Sequence, residues 1–175
     1  LLSGGTVLGH GWDESNWDDA ELPTRAEIDR ATWGSVVYLS RVDVHSALVS
    51  NSLIAQLPHS RELAGFSDGP VTQLAHGAIR TFALGSITDG QRNRAQEAFF
   101  TNAISQGIVS VHEMAGPHIS SHHDARSLKE LASKAGMPHL AIYWGELFSA
   151  HTQEIISDLD AIGAGGDLFI DGAIG

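Results

Sequence analysis

The chain has 175 residues, of which 42% are hydrophobic and 18% charged, so it is long enough to form one folded domain, or part of one, around a buried core. Its net charge is −11, from 21 acidic against 10 basic residues, which disfavours nucleic acid and anionic membranes as partners. It contains no cysteine, which excludes disulfides, thiolate metal sites and cysteine nucleophiles.

The first predicted elements are a strand, a capped helix and a second strand. Residues 6–12 predict a strand that leads into a polar loop. Thr24 followed three residues later by Glu27 is the pattern of a capping box, which predicts a short helix ending near Ala31. The apolar, β-branched start of segment 36–42 predicts the next strand.

The middle of the chain is predicted to hold two helices with a long loop between them. Segment 46–57 predicts a helix that Pro58 stops. Residues 61–77 are rich in Gly, Ser and Asp and predict a loop, followed by a short strand at 78–82. A longer helix is predicted over residues 89–106, with one apolar stripe facing inward. The stripe consists of Ala95, Ala98, Phe99 and Ala103.

Strands and helices alternate regularly in the last third of the chain. Short apolar runs at residues 108–114, 139–145 and 167–171 predict three strands, whose starts are roughly 30 residues apart. Residues 121–135 and a segment capped by Ser149 predict the intervening helices. This spacing is typical of successive βα units of a parallel sheet.

Alternation along these strands predicts which side chains share a face. The helix-facing positions are the bulky apolar ones, namely Val109, Val111, Leu140, Ile142, Trp144, Leu168 and Ile170. His112, Tyr143 and Asp171 then lie on the other face, at the same end of the strands, where α/β folds assemble their sites. A hydrogen-bonded core histidine and an Asp-Gly turn are the structural alternatives for the first and last of these residues. Glu113 lies where strand becomes loop, so its direction stays open.

Two polar groups near the first strands have both a structural and a functional interpretation. Arg41, Asp43 and His45 alternate along one predicted strand face and need partners or a cavity. They form either a buried salt-bridge cluster or a substrate contact. The loop after the first strand carries Trp12, Asp13, Asn16 and Trp17. It suits the lip of a small-molecule site, and a solvent-exposed loop is the alternative.

Several motifs, taken in order, resemble one family. They are residues 9–14 (GHGWDE), 22–25 (LPTR), 41–47 (RVDVHSA), 51–52 (NS), 107–117 (GIVSVHEMAGP) and 167–175 (DLFIDGAIG). This ordered set is similar to the amidohydrolase-3 branch of the amidohydrolase superfamily and covers nearly the whole chain.

The resemblance implies an α/β fold, a partial (β/α)8 TIM-type barrel comprising about strands 2–4. Residues 1–90 would form an insertion subdomain that follows the missing first barrel strand and precedes strand 2. Residues 91–175 would form the partial barrel of βα units. The family's H-x-H motif is expected before Leu1, and two later histidines and an aspartate are expected after Gly175.

The resemblance also implies an activity, which is hydrolysis of a C–N bond of an amide-type substrate by metal-activated water. One or two divalent metals are implied, with zinc the first choice. The chain alone is expected to be an inactive fragment that binds no metal, because most ligands and the general base would lie outside it. The implied partner is a small-molecule substrate.

Site residues follow from the resemblance together with the strand pattern. The predicted metal-site residues are His112, Glu113, Asp167 and Asp171. The predicted substrate contacts are Trp12, His45 and Tyr143. No catalytic acid or base is assigned. The family often has a lysine, which can be carboxylated to bridge two metals, where this chain has Asp167, and the shorter side chain weakens the case for a two-metal centre.

A second function class stays open, namely a non-catalytic small-molecule-binding or regulatory module. Under either function, an open half-barrel leaves strand edges unpaired, which predicts a homo-oligomer. The sequence has no apolar stretch of about 18 residues and no signal-peptide pattern, so a cytoplasmic protein without membrane contact is predicted.

Overall fold

Two open three-stranded sheets organise the chain in the computed structural model, which describes residues 5–117, 119–166 and 168. The architecture is mixed α/β. The described residues fall into two units that divide between Ile87 and Thr88. Each unit has its own sheet and its own apolar clusters.

In the first unit, the described residues form three strands, three α-helices and two short 3-10 helices. Its elements are β1 (Thr6–Trp12), α1 (Arg25–Ala31), β2 (Val36–Arg41), β3 (Ala47–Val49), α2 (Asn51–Gln56) and α3 (Gln73–Leu84), with 3-10 turns at Glu14–Asn16 and Pro58–Glu62. The sheet order is β1-β2-β3. β1 and β2 run parallel, joined through α1, whereas β2 and β3 form an antiparallel hairpin.

Apolar residues cover both faces of this first sheet. On one face, Tyr38 and Val49 pack with Leu53 of α2 and Ile79 of α3. On the other face, Val37 and Leu48 pack against Ile28 of α1, so β2 is buried on both sides.

A bulge at Gly11 separates the predicted substrate contact Trp12 from the rest of β1. The register passes from His10 opposite Ser40 to Trp12 opposite Arg41, leaving Gly11 unpaired with a φ of 92°. That backbone conformation favours glycine. Because one residue is skipped, His10 and Trp12 lie on opposite faces of the sheet. His10 Nδ1 is 2.8 Å from Ser40 Oγ, while Trp12 packs against the Val37 cluster.

The second unit alternates helices and strands. Its elements are α4 (Asp89–Ser105), β4 (Ser110–Ala115), α5 (His122–Ala132), β5 (His139–Trp144), α6 (Ala150–Leu159) and β6 (Gly163–Ala164). The strands are all parallel, in the order β4-β5-β6. The apolar faces of α5 and α6 pack on one side of this sheet through residues such as Ala125, Ile155 and Leu159.

Several predicted elements are confirmed. β1 spans the predicted residues, and Thr24 and Glu27 form the expected reciprocal capping box at α1. β2, β4 and β5 lie within one or two residues of their predicted bounds, and Ser121 and Ser149 cap α5 and α6.

Other predicted elements were wrong. Segment 46–57 is not one helix, because its first residues form β3 and Ser50 then caps α2. The loop and strand predicted over 61–82 contain the helix α3 instead. On α4, Phe100 and Ala103 are buried, whereas Phe99 is 53% exposed. The predicted strand 167–171 stays a prediction, because all of it except Leu168 lies outside the described residues; the third described strand of this sheet is β6.

Across the part of the chain that the structure describes, no helix combines the length and the apolarity needed to cross a bilayer.

Candidate functional site

His112 and Tyr143 meet on the face of the second sheet that the helices leave uncovered. His112 lies opposite Ala141, and Tyr143 lies opposite Met114, two residues further along the same parallel strands and therefore on the same face. Their ring centroids are 5.8 Å apart and their planes differ by 17°, so the rings are stacked. His112 is exposed and Tyr143 half-buried. The imidazole and the phenol therefore form a joint surface that can donate or accept hydrogen bonds.

Glu113 lies on the opposite, helix-covered face. Successive side chains of a strand alternate, so Glu113 shares its face with Val111, which packs into the cluster of Leu128 and Leu131. Burial raises the pKa of the Glu113 carboxyl above its ordinary value, and the nearby Asp124 carboxylate raises it further. The adjacent residues His112 and Glu113 therefore present their side chains to opposite sides of β4.

Asp124 is a buried acid that was not among the residues predicted from the sequence. It is 7% exposed, and its Oδ2 accepts a 2.6 Å hydrogen bond from Arg92 Nη1, which ties α5 to α4. Its Oδ1 is buried without a hydrogen-bond partner among the described residues. An acid in the first turn after the Ser121 cap is the sequence signal that suggests a role at the helix terminus.

In the first unit, Arg41 joins the loop after β1 to the turn after β2. Its Nε and Nη2 donate to the Glu14 carboxylate at 3.0 and 3.1 Å, and its Nη1 donates to Asp43 at 2.9 Å. Hydrogen bonds from Arg41 hold the pKa of Glu14 below its ordinary value. Of the two predicted interpretations of Arg41 and Asp43, the structure shows the salt-bridge cluster, and it is half-buried.

The predicted substrate contacts Trp12 and His45 have different surroundings. The Trp12 Nε1–H donates to the Leu39 carbonyl at 2.9 Å, and its ring lies 5.8 Å from the Arg41 guanidinium carbon. His45 is exposed in the turn between β2 and β3, where its backbone N–H donates to Asp43 Oδ1. β2 therefore ends at Arg41, and Asp43 and His45, which were predicted to continue the strand, lie in a turn.

Tyr38 and His76 form a buried pair that was not predicted from the sequence. Tyr38 Oη and His76 Nε2 are 2.9 Å apart, and the two residues are 4% and 7% exposed. Burial raises the pKa of Tyr38 to about 12 and lowers that of His76, which favours the neutral form of both groups. The pair is separated by 38 residues in sequence, and no local pattern signals it.

The described residues do not fit a metal centre by themselves. Residues 5–117, 119–166 and 168 contain no group of three or more His, Asp or Glu side chains placed to hold a metal ion. The predicted metal-site residues Asp167 and Asp171 lie outside the described residues, and Glu113 faces away from His112. Among the predicted site residues that the structure describes, His112 and Tyr143 are the pair whose rings are brought into contact.

A family model described as the amidohydrolase family matches residues 3–174. The chain also has the fold of part of two solved structures. One is an uncharacterized metal-dependent hydrolase from Pyrococcus furiosus, with 21% identity and a TM-score of 0.56 over 89% of this chain and 31% of that one. The other is an uncharacterized metal-dependent hydrolase from Pyrococcus horikoshii OT3, with 20% identity and a TM-score of 0.54 over 90% of this chain and 30% of that one.

The chain thus spans about 30% of the length of the solved structures that it matches. No curated protein matches it. At these identities the structural likeness shows a shared fold.

Proposed function

The chain belongs to the amidohydrolase family, and from that premise we propose that the protein containing it hydrolyses a non-peptide C–N bond of a small amide-type substrate. The observation that carries the proposal is the match of the family model to residues 3–174. The stacked His112 and Tyr143 support it, because they lie on the open face of a parallel βα sheet, the kind of sheet on which α/β enzymes assemble their sites.

We further propose that a divalent metal, zinc in the first place, is the cofactor. The metal-dependent hydrolases that share the fold support this. Because the described residues do not form a metal site, most ligands would have to come from residues outside that set. His112 is the candidate ligand among the described residues, since its imidazole is exposed on the open face.

The second unit is proposed to correspond to strands 2–4 of a (β/α)8 barrel and the first to the insertion that precedes them. The consecutive parallel strands β4, β5 and β6, with α5 and α6 between them, support the first assignment. The first unit, with its antiparallel β2–β3 hairpin, departs from a βα repeat, which supports the second. The predicted boundary at residues 90 and 91 lies near the division between Ile87 and Thr88.

The test uses the full-length protein, assayed against a panel of N-substituted acetamides. Chelation by EDTA should abolish hydrolysis, and zinc should restore it. His112→Ala should lower kcat/KM by about 100-fold, since loss of a ligand weakens metal binding. His139→Ala is the matched control, because His139 lies on the same sheet face at the amino end of β5.

Two results would contradict the proposal. One is hydrolysis that persists without metal, or that His112→Ala and His139→Ala reduce equally. The other is saturable binding of an amide with no turnover by the metal-loaded full-length protein, which would favour the non-catalytic binding module.

A further inference from the structure

The loop between β5 and α6, residues 145–149, presents two large apolar side chains to solvent. Leu147 is 78% exposed and Phe148 is 72% exposed. The loop begins directly after β5, two residues beyond Tyr143. It therefore lies at the carboxyl end of a parallel strand, where open α/β sheets bind their ligands.

Hydrogen bonds hold this loop in place. The Trp144 indole N–H donates to Glu146 Oε2 at 2.8 Å, and Trp144 itself is 3% exposed. The hydroxyl of Thr152, which is fully buried, donates to the Leu147 carbonyl at 2.8 Å, and Ser149 caps α6. The exposure of Leu147 and Phe148 is therefore a property of an anchored loop. Little conformational entropy would be lost when a ligand covers it.

The charge of the loop restricts which ligands it can bind. Its only charged side chain is Glu146, and one oxygen of that carboxylate is engaged by Trp144. The two residues that follow offer hydrocarbon and an aromatic ring. Covering such a side chain removes apolar surface from water, which favours binding, and ring-on-ring contact adds to this. An uncharged apolar group, preferably aromatic, complements this surface.

Resting on the proposed function, we propose that Leu147 and Phe148 determine specificity by contacting the part of the substrate that is not cleaved. The substrate is then an amide with an apolar, preferably aromatic, substituent beside the scissile C–N bond. Continuity with the proposed substrate side favours this occupant, because the loop extends the strand that carries Tyr143.

The first test measures selectivity of the full-length, metal-loaded protein for N-phenylacetamide over acetamide. Leu147→Ser and Phe148→Ser should each lower that ratio about tenfold, through KM rather than kcat. Both residues are exposed, so the fold should tolerate the changes. Val109→Ser is the matched control. Val109 is also 78% exposed, but it lies just before β4, at the amino end of the parallel strands. This variant should leave the ratio unchanged.

The second test measures binding without turnover. N-phenylacetamide is titrated calorimetrically into the metal-stripped full-length protein, and Phe148→Ser should raise Kd about tenfold while Val109→Ser should not. The binding measurement still tests the specificity proposal if the protein hydrolyses no amide. That result would contradict the proposed function but not the specificity proposal. The specificity proposal is overturned if the wild type shows no saturable binding, or if ratio and Kd are unchanged in Leu147→Ser and Phe148→Ser. If the serine variants lower Tm by several degrees and leave the selectivity ratio and Kd unchanged, these side chains pack against another segment. That result would also overturn the specificity proposal.

Discussion

Phe99 and Phe100 are neighbours on α4 with opposite surroundings. Phe100 is fully buried against Leu128 and Leu131 of α5, and it is the largest side chain of that cluster. Phe99 is 53% exposed. The 100° between successive helical residues is enough to place one ring in the core and the other in solvent.

Phe100→Ala should lower the free energy of unfolding by about 3–5 kcal/mol, because it leaves a cavity between α4 and α5. Phe99→Ala is the control and should change it by less than about 1 kcal/mol. Urea denaturation followed by circular dichroism measures both. Equal effects of the two substitutions would contradict the placement of α4 on α5.

Residue-scale features were predictable where a strand's alternation determined them. Alternation alone placed His112 and Tyr143 on one face and Trp144 on the other. The helical stripe that included Phe99 was wrong, because α4 buries little and its apolar residues do not cluster on one side. Pairs distant in sequence, such as Tyr38 with His76, depend on tertiary packing and leave no local pattern.

At the scale of elements, side-chain caps define most helix starts. α4 begins with a capping box in which Thr88 Oγ1 accepts from the Gln91 N–H, and the Gln91 side chain accepts from the Thr88 N–H. The predicted start of this helix at residue 89 is confirmed, although the capping residue is Thr88 and not Asp89.

Thr88→Ala should destabilise the fold by about 1 kcal/mol, since it leaves an N–H of the first turn without its acceptor. Thr101→Ala on the same helix is the control. Thr101 is exposed, and its hydroxyl bonds the Glu97 carbonyl one turn back, so alanine there should be neutral or slightly stabilising. Chemical denaturation compares the two variants. A larger loss from Thr101→Ala would contradict the cap assignment.

Elements with strong local signals were predictable, and those without them were not. β3 has only three residues, too few for a periodic pattern, so the helix signal of the following α2 masked it. α3 was predicted to be a polar loop for two reasons. It carries Gly77 in its interior, and its buried stripe includes the polar residue His76.

At the scale of the whole molecule, the second sheet has open sides. β4 is an outer strand and pairs with β5 alone among the strands that the structure describes. The backbone groups on its other side are available to another strand. The proposed homo-oligomer would use them.

Light scattering of the 175-residue chain should therefore give a mass above that of a monomer. Ser110→Lys should shift the chain toward the monomer, because a lysine on an edge strand opposes further pairing. His139→Lys is the control, as His139 is the residue paired with Ser110 on the inner strand β5. A wild-type monomer, or equal dissociation by both lysines, would contradict edge pairing.

Because β4, β5 and β6 run in the same direction, the segments that follow the strands and the segments that precede them lie at opposite ends of the sheet. Residues 116–117, 119–121 and 145–149 follow strands and lie at one end of the sheet, whereas residues 106–109 and 133–138 precede strands and lie at the other end. Mutations that change ligand binding and mutations that change the stability of the fold can then occur in separate segments of the sequence. If the segments that follow the strands form the proposed ligand side, exchanging them between relatives is expected to change ligand recognition and to leave the stability contributed by the other segments in place.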